Sequence, residues 1–195
     1  MDPKYNPQFI NEKVHKEFDS FLSDQPSLKA DVEYVYELGV PDRSKTYLMF
    51  ECARALEVDK NKLIPFAIGA ELMMAAAMND DDIIDDNGER FGKPALWKIK
   101  GVNPTIMVTG YMYSLIFSVL KKYRLDADNK DFPAYQRSEN ALTEYFRIMH
   151  IAQYRTTVSA KELVDFSLED LEELAVQKAS LLFKYCTATP AYFAN

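Results

Sequence analysis

The sequence predicts an all-α protein. Six glycines in 195 residues and the scarcity of alternating apolar and polar runs argue against a fold built on sheets. Residues 63–78 form a nearly unbroken apolar run of helix formers, which indicates a buried helix. With 48% apolar residues the chain is globular in composition, and its length suits one domain over residues 1–195.

The expected elements follow from apolar runs and from the residues that interrupt them. Pro26 separates the first two helices, residues 39–42 form a break, and residues 88–94 and 126–133 are polar enough to be loops. Ser167 with Asp170 three positions later is typical of a helix N-cap, so the acidic run after Ser167 is expected to be a solvated first turn rather than a ligand set. The predicted helical segments are 11–22, 28–38, 47–56, 61–78, 104–123, 135–153, 159–166 and 167–185.

Five aspartates lie within residues 80–86, directly after the apolar run. A continued helix puts Asp81 and Asp85 on the stripe of Met74 and Ala77, so both carboxylates should face the interior. Like charges one turn apart repel each other, and negative charge at a helix C-terminus opposes the helix dipole. The cluster therefore favours Mg²⁺, which takes one or two carboxylates and adds water and phosphate oxygens. A solvated acidic loop is the alternative.

A longer pattern surrounds these aspartates. Glu71 opens the apolar stretch that leads to Asp81-Asp82-Ile83-Ile84-Asp85, and Arg90-Phe91-Gly92-Lys93-Pro94 follows after a short gap. In this spacing the chain resembles the trans-isoprenyl diphosphate synthases, whose first aspartate-rich region is DDxxD followed by Arg-Arg-Gly-x-Pro. The resemblance runs from about residue 39 to about residue 190. It implies an isoprenoid-synthase-type helical bundle around a central cavity, incomplete at the C-terminus because the family's second aspartate-rich motif has no counterpart before residue 195.

The resemblance also implies site residues. In the family the aspartates hold Mg²⁺ ions that grip the diphosphate of an allylic substrate, so Asp81, Asp82 and Asp85 are the expected metal-binding and catalytic residues. Arg90 matches the first arginine of the pair that contacts the same diphosphate; pairing with a neighbouring acid is the alternative. Lys178 matches a family lysine with the same role, and Gln153 matches a family glutamine.

The second substrate of the family, isopentenyl diphosphate, has a poorer match. Its phosphate-binding positions read Asp42, Lys45, Met74 and Phe91 here, and only Lys45 keeps its charge, although Arg43 lies in the same stretch. An acid and two apolar side chains do not form an anion site. We therefore expect an intact allylic half of the site and a diverged isopentenyl half.

The prenyl tail is expected to lie along the helix that leads to the aspartates. Bulky residues four and five positions before DDxxD stop chain growth early in the family, and here these positions are Ala77 and Ala76. Small residues leave room for a tail of about farnesyl length or longer. Met73 is a deeper residue of this cavity, and close helix packing at the alanines is the alternative.

Three functions remain open. The first is a prenyltransferase that ionises an allylic prenyl diphosphate with Mg²⁺ as cofactor and transfers the prenyl group in isoprenoid biosynthesis. The second is a class I terpene synthase or cyclase that uses one allylic diphosphate. The third is a half-site or regulatory subunit of a heteromeric prenyl synthase.

Composition limits the partners. The formal charge is −7 without a basic stripe, so no nucleic-acid partner is expected. Two separated cysteines and two histidines make a Cys or His metal site improbable. The N-terminus lacks a signal-peptide pattern and no uninterrupted apolar run reaches membrane-spanning length, so we expect no transmembrane segment and a cytoplasmic location. The resemblance implies a homodimer, or a heteromer with a homologous chain.

Overall fold

The computed structural model describes residues 7–39, 43–125, 130–162 and 165–194, and it confirms the all-α prediction. Most of the described residues are helical, and the strands found among them are two short ones, of two residues each, that pair as a hairpin. The helices are α1 Pro7–Leu22, α2 Pro26–Gly39, α3 Ser44–Ala55, α4 Ile64–Ile84, α5 Leu96–Lys100, α6 Val102–Leu125, α7 Phe132–Glu162, α8 Leu168–Ala175 and α9 Leu181–Phe193, with a 3₁₀ turn at Lys60–Leu63 and a π-helical turn at Val176–Ser180.

Helix α4 is the centre of the bundle, and α1, α2, α3, α6, α7 and α9 all pack against it. Every residue from Ile64 to Met73 is buried, because apolar side chains surround this half of the helix on all sides. By length and composition Lys60–Ile84 could cross a membrane, but 78% of its apolar window is buried inside the fold, as in a core helix.

The amphipathic helices turn one stripe toward α4. In α1 the buried residues Ile10, Val14, Phe18 and Leu22 recur every fourth position. Helix α6 has a buried stripe and an opposite exposed one, which carries Met107. Helix α6 is therefore buried along one face only.

Element boundaries differ from the prediction where tertiary contacts extend a helix. Helix α4 continues through the aspartates to Ile84, and α7 joins the two predicted segments 135–153 and 159–166 at least to Glu162. The expected loop at 88–94 contains the hairpin of β1 Glu89–Arg90 and β2 Lys93–Pro94. The Ser167 cap is confirmed, since its side chain accepts a hydrogen bond from the Asp170 backbone N–H while Asp170 bonds back to Ser167.

Candidate active site

A cavity of about 430 Å³ lies between α4, α6, α7 and the π-helical turn. Its volume is in the range of small-molecule sites. Most of its surface is apolar, and a few polar side chains reach it. The lining residues are Met74, Ala77, Met78, Asp80, Asp81, Ile83, Ile84, Ile106, Tyr113, Tyr145, Met149, His150, Gln153, Tyr154, Thr157 and Lys178.

Asp81 is the member of the DDxxD motif that lines this cavity. Burial raises the pKa of its carboxyl group, and the charge of Asp85 raises it further, whereas the Lys178 ammonium lowers it. Asp85 is exposed, because α4 ends at Ile84 and Asp85 is its C-cap. The expectation that both carboxylates face the interior is therefore correct for Asp81 and wrong for Asp85.

Asp82 lies on another face of α4 and is 1% exposed. Its carboxylate accepts hydrogen bonds from the Arg90 guanidinium at 2.7 and 3.1 Å and from the Asn87 side-chain amide at 2.9 Å. Arg90 also donates to the Met78 carbonyl. Arg90 thus has an acidic partner, as the alternative interpretation of the sequence required, but that partner is Asp82 and not a neighbour in the loop.

The hairpin holds Arg90 in this position. Phe91 and Gly92 form its turn with positive φ angles of 51° and 76°, and the side chain of Phe91 is 65% exposed. Ala95 N–H donates to the Gly88 carbonyl, which closes the hairpin next to α4. The turn residues therefore aim Arg90 back at Asp82 and leave Phe91 in solvent.

Lys178 and Gln153 reach the same cavity as Asp81, although they lie 97 and 72 positions further along the chain. Gln153 is on α7, and Lys178 is in the π-helical turn Val176–Ser180. A π-helical turn shifts the side chains that follow it relative to a regular α-helix, and such turns are frequent at functional sites. The resemblance predicted these two residues as site residues, and the fold brings both into the cavity that Asp81 lines.

Arg43 and Lys45 are placed elsewhere. Arg43 is 2% exposed; its guanidinium stacks on the Tyr36 ring at 3.8 Å and donates to the Asn11 side chain at 2.7 Å. Lys45 is 8% exposed and lies over the ring of Phe183. Neither residue lines the cavity. Asp42 lies outside the described residues.

The three residues predicted to line the prenyl-tail cavity also differ in their positions. Ala77 lines the cavity, as does Met74. Ala76 and Met73 are fully buried in the core and do not line it. Residues one position apart on a helix point about 100° away from each other, so only one of the two alanines can face the cavity directly.

Among the cavity residues that were not predicted, four carry aromatic rings with polar groups: Tyr113, Tyr145, His150 and Tyr154. The Tyr113 hydroxyl donates to the Asp80 carboxylate at 2.9 Å. Burial raises the pKa of Asp80, Tyr113 and Tyr145. A usable signal was present in the sequence, because positions three and four before Gln153 share its helix face.

The acidic residues are compatible with one kind of metal site. Within the described residues, no group of three or more His, Cys, Asp or Glu side chains could enclose a metal. Mg²⁺ needs only one or two carboxylates when phosphate oxygens and water complete its shell. Asp81 and Asp85 lie one turn apart and repel each other, so they are the carboxylates that could form such a pair, whereas Asp82 is buried and paired with Arg90.

Comparisons with known proteins show the family of this chain and confirm its fold. The family described as polyprenyl synthetase matches residues 25–195. No curated protein sequence matches this chain. Among solved structures, geranylgeranyl pyrophosphate synthetase from Pyrococcus horikoshii is similar at a TM-score of 0.84 and 20% identity, covering 96% of this chain and 55% of that one.

Two further structures are similar. A geranylgeranyl pyrophosphate synthetase from the archaeon Geoglobus acetivorans has a TM-score of 0.82 and 20% identity, over 95% of this chain and 58% of that one. A geranyltranstransferase from Thermotoga maritima has a TM-score of 0.72 and 21% identity, over 96% of this chain and 68% of that one. This chain therefore spans little more than half of the two synthetases.

Proposed function

Because the chain belongs to the polyprenyl synthetase family, we propose that it binds an allylic prenyl diphosphate in the cavity and transfers the prenyl group. One observation carries the proposal. Asp81, Gln153 and Lys178 come from three distant parts of the sequence and line one largely apolar cavity. An anionic head with a long apolar tail requires this combination of charge and apolar surface.

Different residues of the chain would contact the diphosphate head and the prenyl tail of the substrate. The Lys178 ammonium attracts anions and would hold the diphosphate beside Asp81, and the Gln153 amide would donate to a phosphate oxygen. Met74, Ala77 and Met149 would surround the tail and exclude water from the reacting carbon. Arg90 would act through Asp82, by fixing the end of α4 from which the other carboxylates project.

Mg²⁺ is part of the proposal, with Asp81 and Asp85 as its protein ligands. When bound, it would neutralise the diphosphate and stabilise it as a leaving group. Asp82 would contribute only after a rearrangement, because its carboxylate is buried and already accepts hydrogen bonds from Arg90 and Asn87.

The residues at the positions that bind the family's second substrate differ from the family pattern in this chain. Met74 puts a thioether on the cavity wall, Phe91 points into solvent, and Arg43 is engaged inside the core. These observations favour an acceptor other than isopentenyl diphosphate. They also support a second candidate, a terpene synthase, which needs no second diphosphate.

The test is pyrophosphate release from farnesyl diphosphate with Mg²⁺, measured with and without isopentenyl diphosphate. Asp81→Asn should reduce the rate by about 100-fold or more, since it removes a charge at the site of ionisation. Asp24→Asn, a change at an exposed aspartate away from the cavity, is the matched control and should behave as wild type.

The possible results distinguish the candidate functions. Release that requires isopentenyl diphosphate would identify an ordinary chain-elongating synthase and contradict the diverged second half. Release without it would favour the terpene synthase. No release in either case would leave two functions, an enzyme that needs another acceptor and the subunit of a heteromeric synthase. A native mass measured with a homologous chain would then identify the subunit.

A further inference from the structure

An open groove of about 710 Å³ lies along another face of α7 than the one that lines the cavity. One wall of this outer groove is α7, and the other wall consists of α8, the π-helical turn and the start of α9. We propose that the outer groove binds an amphipathic helix of a partner protein, in which lysine or arginine side chains flank an apolar face. The proposal does not depend on prenyl transfer, since it concerns a surface outside the cavity.

The floor of the outer groove is apolar. Ile148 and Ile151 lie on neighbouring turns of α7, and Val176 and Leu181 face them from the other wall. Ile151 and Val176 are 46% and 49% exposed. Side chains three and four positions apart share one face of a helix, so these residues offer a stripe against which the apolar face of another helix can pack. Covering this stripe would remove apolar surface from water.

The outer groove has the length of a short helix. It continues between α7 and α9 into a recess of about 200 Å³, which Ile148 and Leu181 also line and which reaches Ala141. At the opposite end, Arg155 of α7 lies 3.7 Å from Asp170 and 3.3 Å from Glu173 of α8, and these ion pairs join the two walls. From Ala141 to Arg155 the distance along α7 is about 21 Å at 1.5 Å per residue, which matches a helix of about four turns.

The rim of the outer groove is acidic on the α8 side. Glu169, Glu172 and Glu173 line it there, and Glu169 and Glu172 form no ion pair with a described residue. Among the described residues that line the groove, Arg147 is the only cation, and Glu144 binds its guanidinium at 2.6 and 2.9 Å. The excess of negative charge favours a partner with basic side chains at this end.

The other end of the groove has the opposite charge. Lys184 lines the recess between α7 and α9, so the basic side chains of the partner belong beside α8 and not along its whole length. This difference in charge between the two ends favours one direction of the bound helix over the other.

The outer groove and the cavity share structural elements. Tyr145 lines both the cavity and the recess, and in the π-helical turn Gln177 lines the groove while its neighbour Lys178 lines the cavity. A helix bound in the groove would therefore contact the elements that carry Gln153 and Lys178. The partner would bind next to the site without entering it.

The experiment uses the whole chain and a synthetic peptide as the probe. The peptide has about 18 residues, with leucines at positions i, i+3, i+4 and i+7 and lysines on the flanks of this stripe, and it carries a fluorescent label. A second peptide of the same composition has its leucines scrambled, so that it has the same charge but no apolar face. Fluorescence anisotropy measures the dissociation constant of each peptide.

We expect the amphipathic peptide to bind at least about ten-fold more tightly than the scrambled one, because only its leucines can cover the apolar floor. Ile151→Ser should weaken binding by about five-fold or more, whereas Leu125→Ser, a change at an exposed leucine outside the groove, should leave it unchanged. Equal binding of the two peptides, or an unchanged dissociation constant in Ile151→Ser, would overturn the proposal.

The charge of the rim is tested separately. Glu172→Lys should weaken binding of the amphipathic peptide by about five-fold or more, and the difference from wild type should shrink in high salt, which screens exposed charges. Asp24→Lys makes the same change of charge at an exposed position outside the groove and is the matched control. Equal effects of the two variants would show that only the net charge of the chain matters, and would contradict a basic partner at this rim.

A second copy of the chain is the competing occupant. Sedimentation velocity of wild type and Ile151→Ser decides between the two, since Ile151 is exposed and its replacement should leave the fold intact. The same self-association in both supports a partner protein in the groove. Weaker self-association of Ile151→Ser would show that a second copy covers the groove, and would overturn the proposal.

Discussion

At the scale of single residues, the ion pair of Asp82 and Arg90 shows how a motif residue can have a structural role. Asp82 is nearly inaccessible to solvent, and Arg90 is its charged partner. A buried charge that loses its partner destabilises the fold strongly, because the desolvation cost is no longer compensated. The pair therefore connects the hairpin to the end of α4.

Arg90→Ala should lower the free energy of unfolding by about 3–5 kcal/mol, the usual cost of removing one member of a buried ion pair. Urea unfolding measures the change. Lys93→Ala, in the facing strand of the same hairpin, is the control and should cost less than about 1 kcal/mol, because its side chain is exposed. Equal effects of the two changes would contradict this role for Arg90.

Glu71 is a second buried acid with a structural environment. One carboxylate oxygen accepts from the Thr46 backbone N–H and hydroxyl at 2.9 and 2.8 Å, and the other is buried without a partner among the described residues. Burial raises the pKa of this carboxyl group above its ordinary value of 4.5, against the opposing effects of Thr46 and of the charges of Arg43 and Lys45. The folded state therefore holds this proton more tightly than the unfolded state does.

The raised pKa of Glu71 predicts how the free energy of unfolding changes with pH. As pH rises from 4.5 toward the raised pKa, the folded state retains a proton that the unfolded state has lost, so the free energy of unfolding should fall over that interval and level off above it. Glu71→Gln removes this dependence. Urea unfolding from acidic to neutral pH should show a steeper fall in wild type than in Glu71→Gln. The exposed control Glu172→Gln should follow wild type, and parallel curves for all three would refute the prediction.

At the scale of elements, three faces of helix α4 have three different environments. Ala76 packs in the core, Ala77 faces the cavity, and the face that carries Asp82 and Ala75 meets the end of α2 at Gly39. A Cβ on Gly39 would lie 2.8 Å from that of Ala75, so the two helices touch through backbone. Such close contact fixes the rotation of α4 and with it the carboxylate that faces the cavity.

Ala77→Phe and Ala76→Phe test this assignment as a matched pair. The ring at Ala77 has open volume to occupy, so stability should change by less than about 1 kcal/mol while the bound or produced prenyl chain becomes shorter. The ring at Ala76 must enter a packed core, which should cost about 1–3 kcal/mol or more. Thermal unfolding and product chain length are the measurements. Equal destabilisation by both would mean that Ala77 does not face a cavity.

At the scale of the whole molecule, α6 suggests how copies of the chain associate. Met107, Gly110, Ser114 and Phe117 form an exposed stripe along one face of this helix, opposite its buried residues. Its two large apolar side chains, Met107 and Phe117, are 67% and 37% exposed. A second copy packed on this stripe would remove that surface from water.

We therefore expect a homodimer in solution. Met107→Glu should raise the dissociation constant of this dimer by about ten-fold or more, because a charge would be buried in the contact. Sedimentation velocity over a range of concentrations measures this. Leu168→Glu changes a similarly exposed residue on another helix and should leave the dimer intact. A wild-type monomer at every concentration would contradict the prediction.

The sequence by itself determined the helical class, the central apolar helix, the N-cap at Ser167 and the identity of Asp81 as a cavity residue, since all of these depend on local spacing and on residue type. The tertiary structure decided the rest. It placed Asp85 in solvent because α4 ends there, and it paired Asp82 with Arg90 through a hairpin turn. It also buried Ala76 and Met73 in the core and brought His150 into the cavity that Asp81 lines. These outcomes depend on which helix faces which, and that is set by close packing between distant segments.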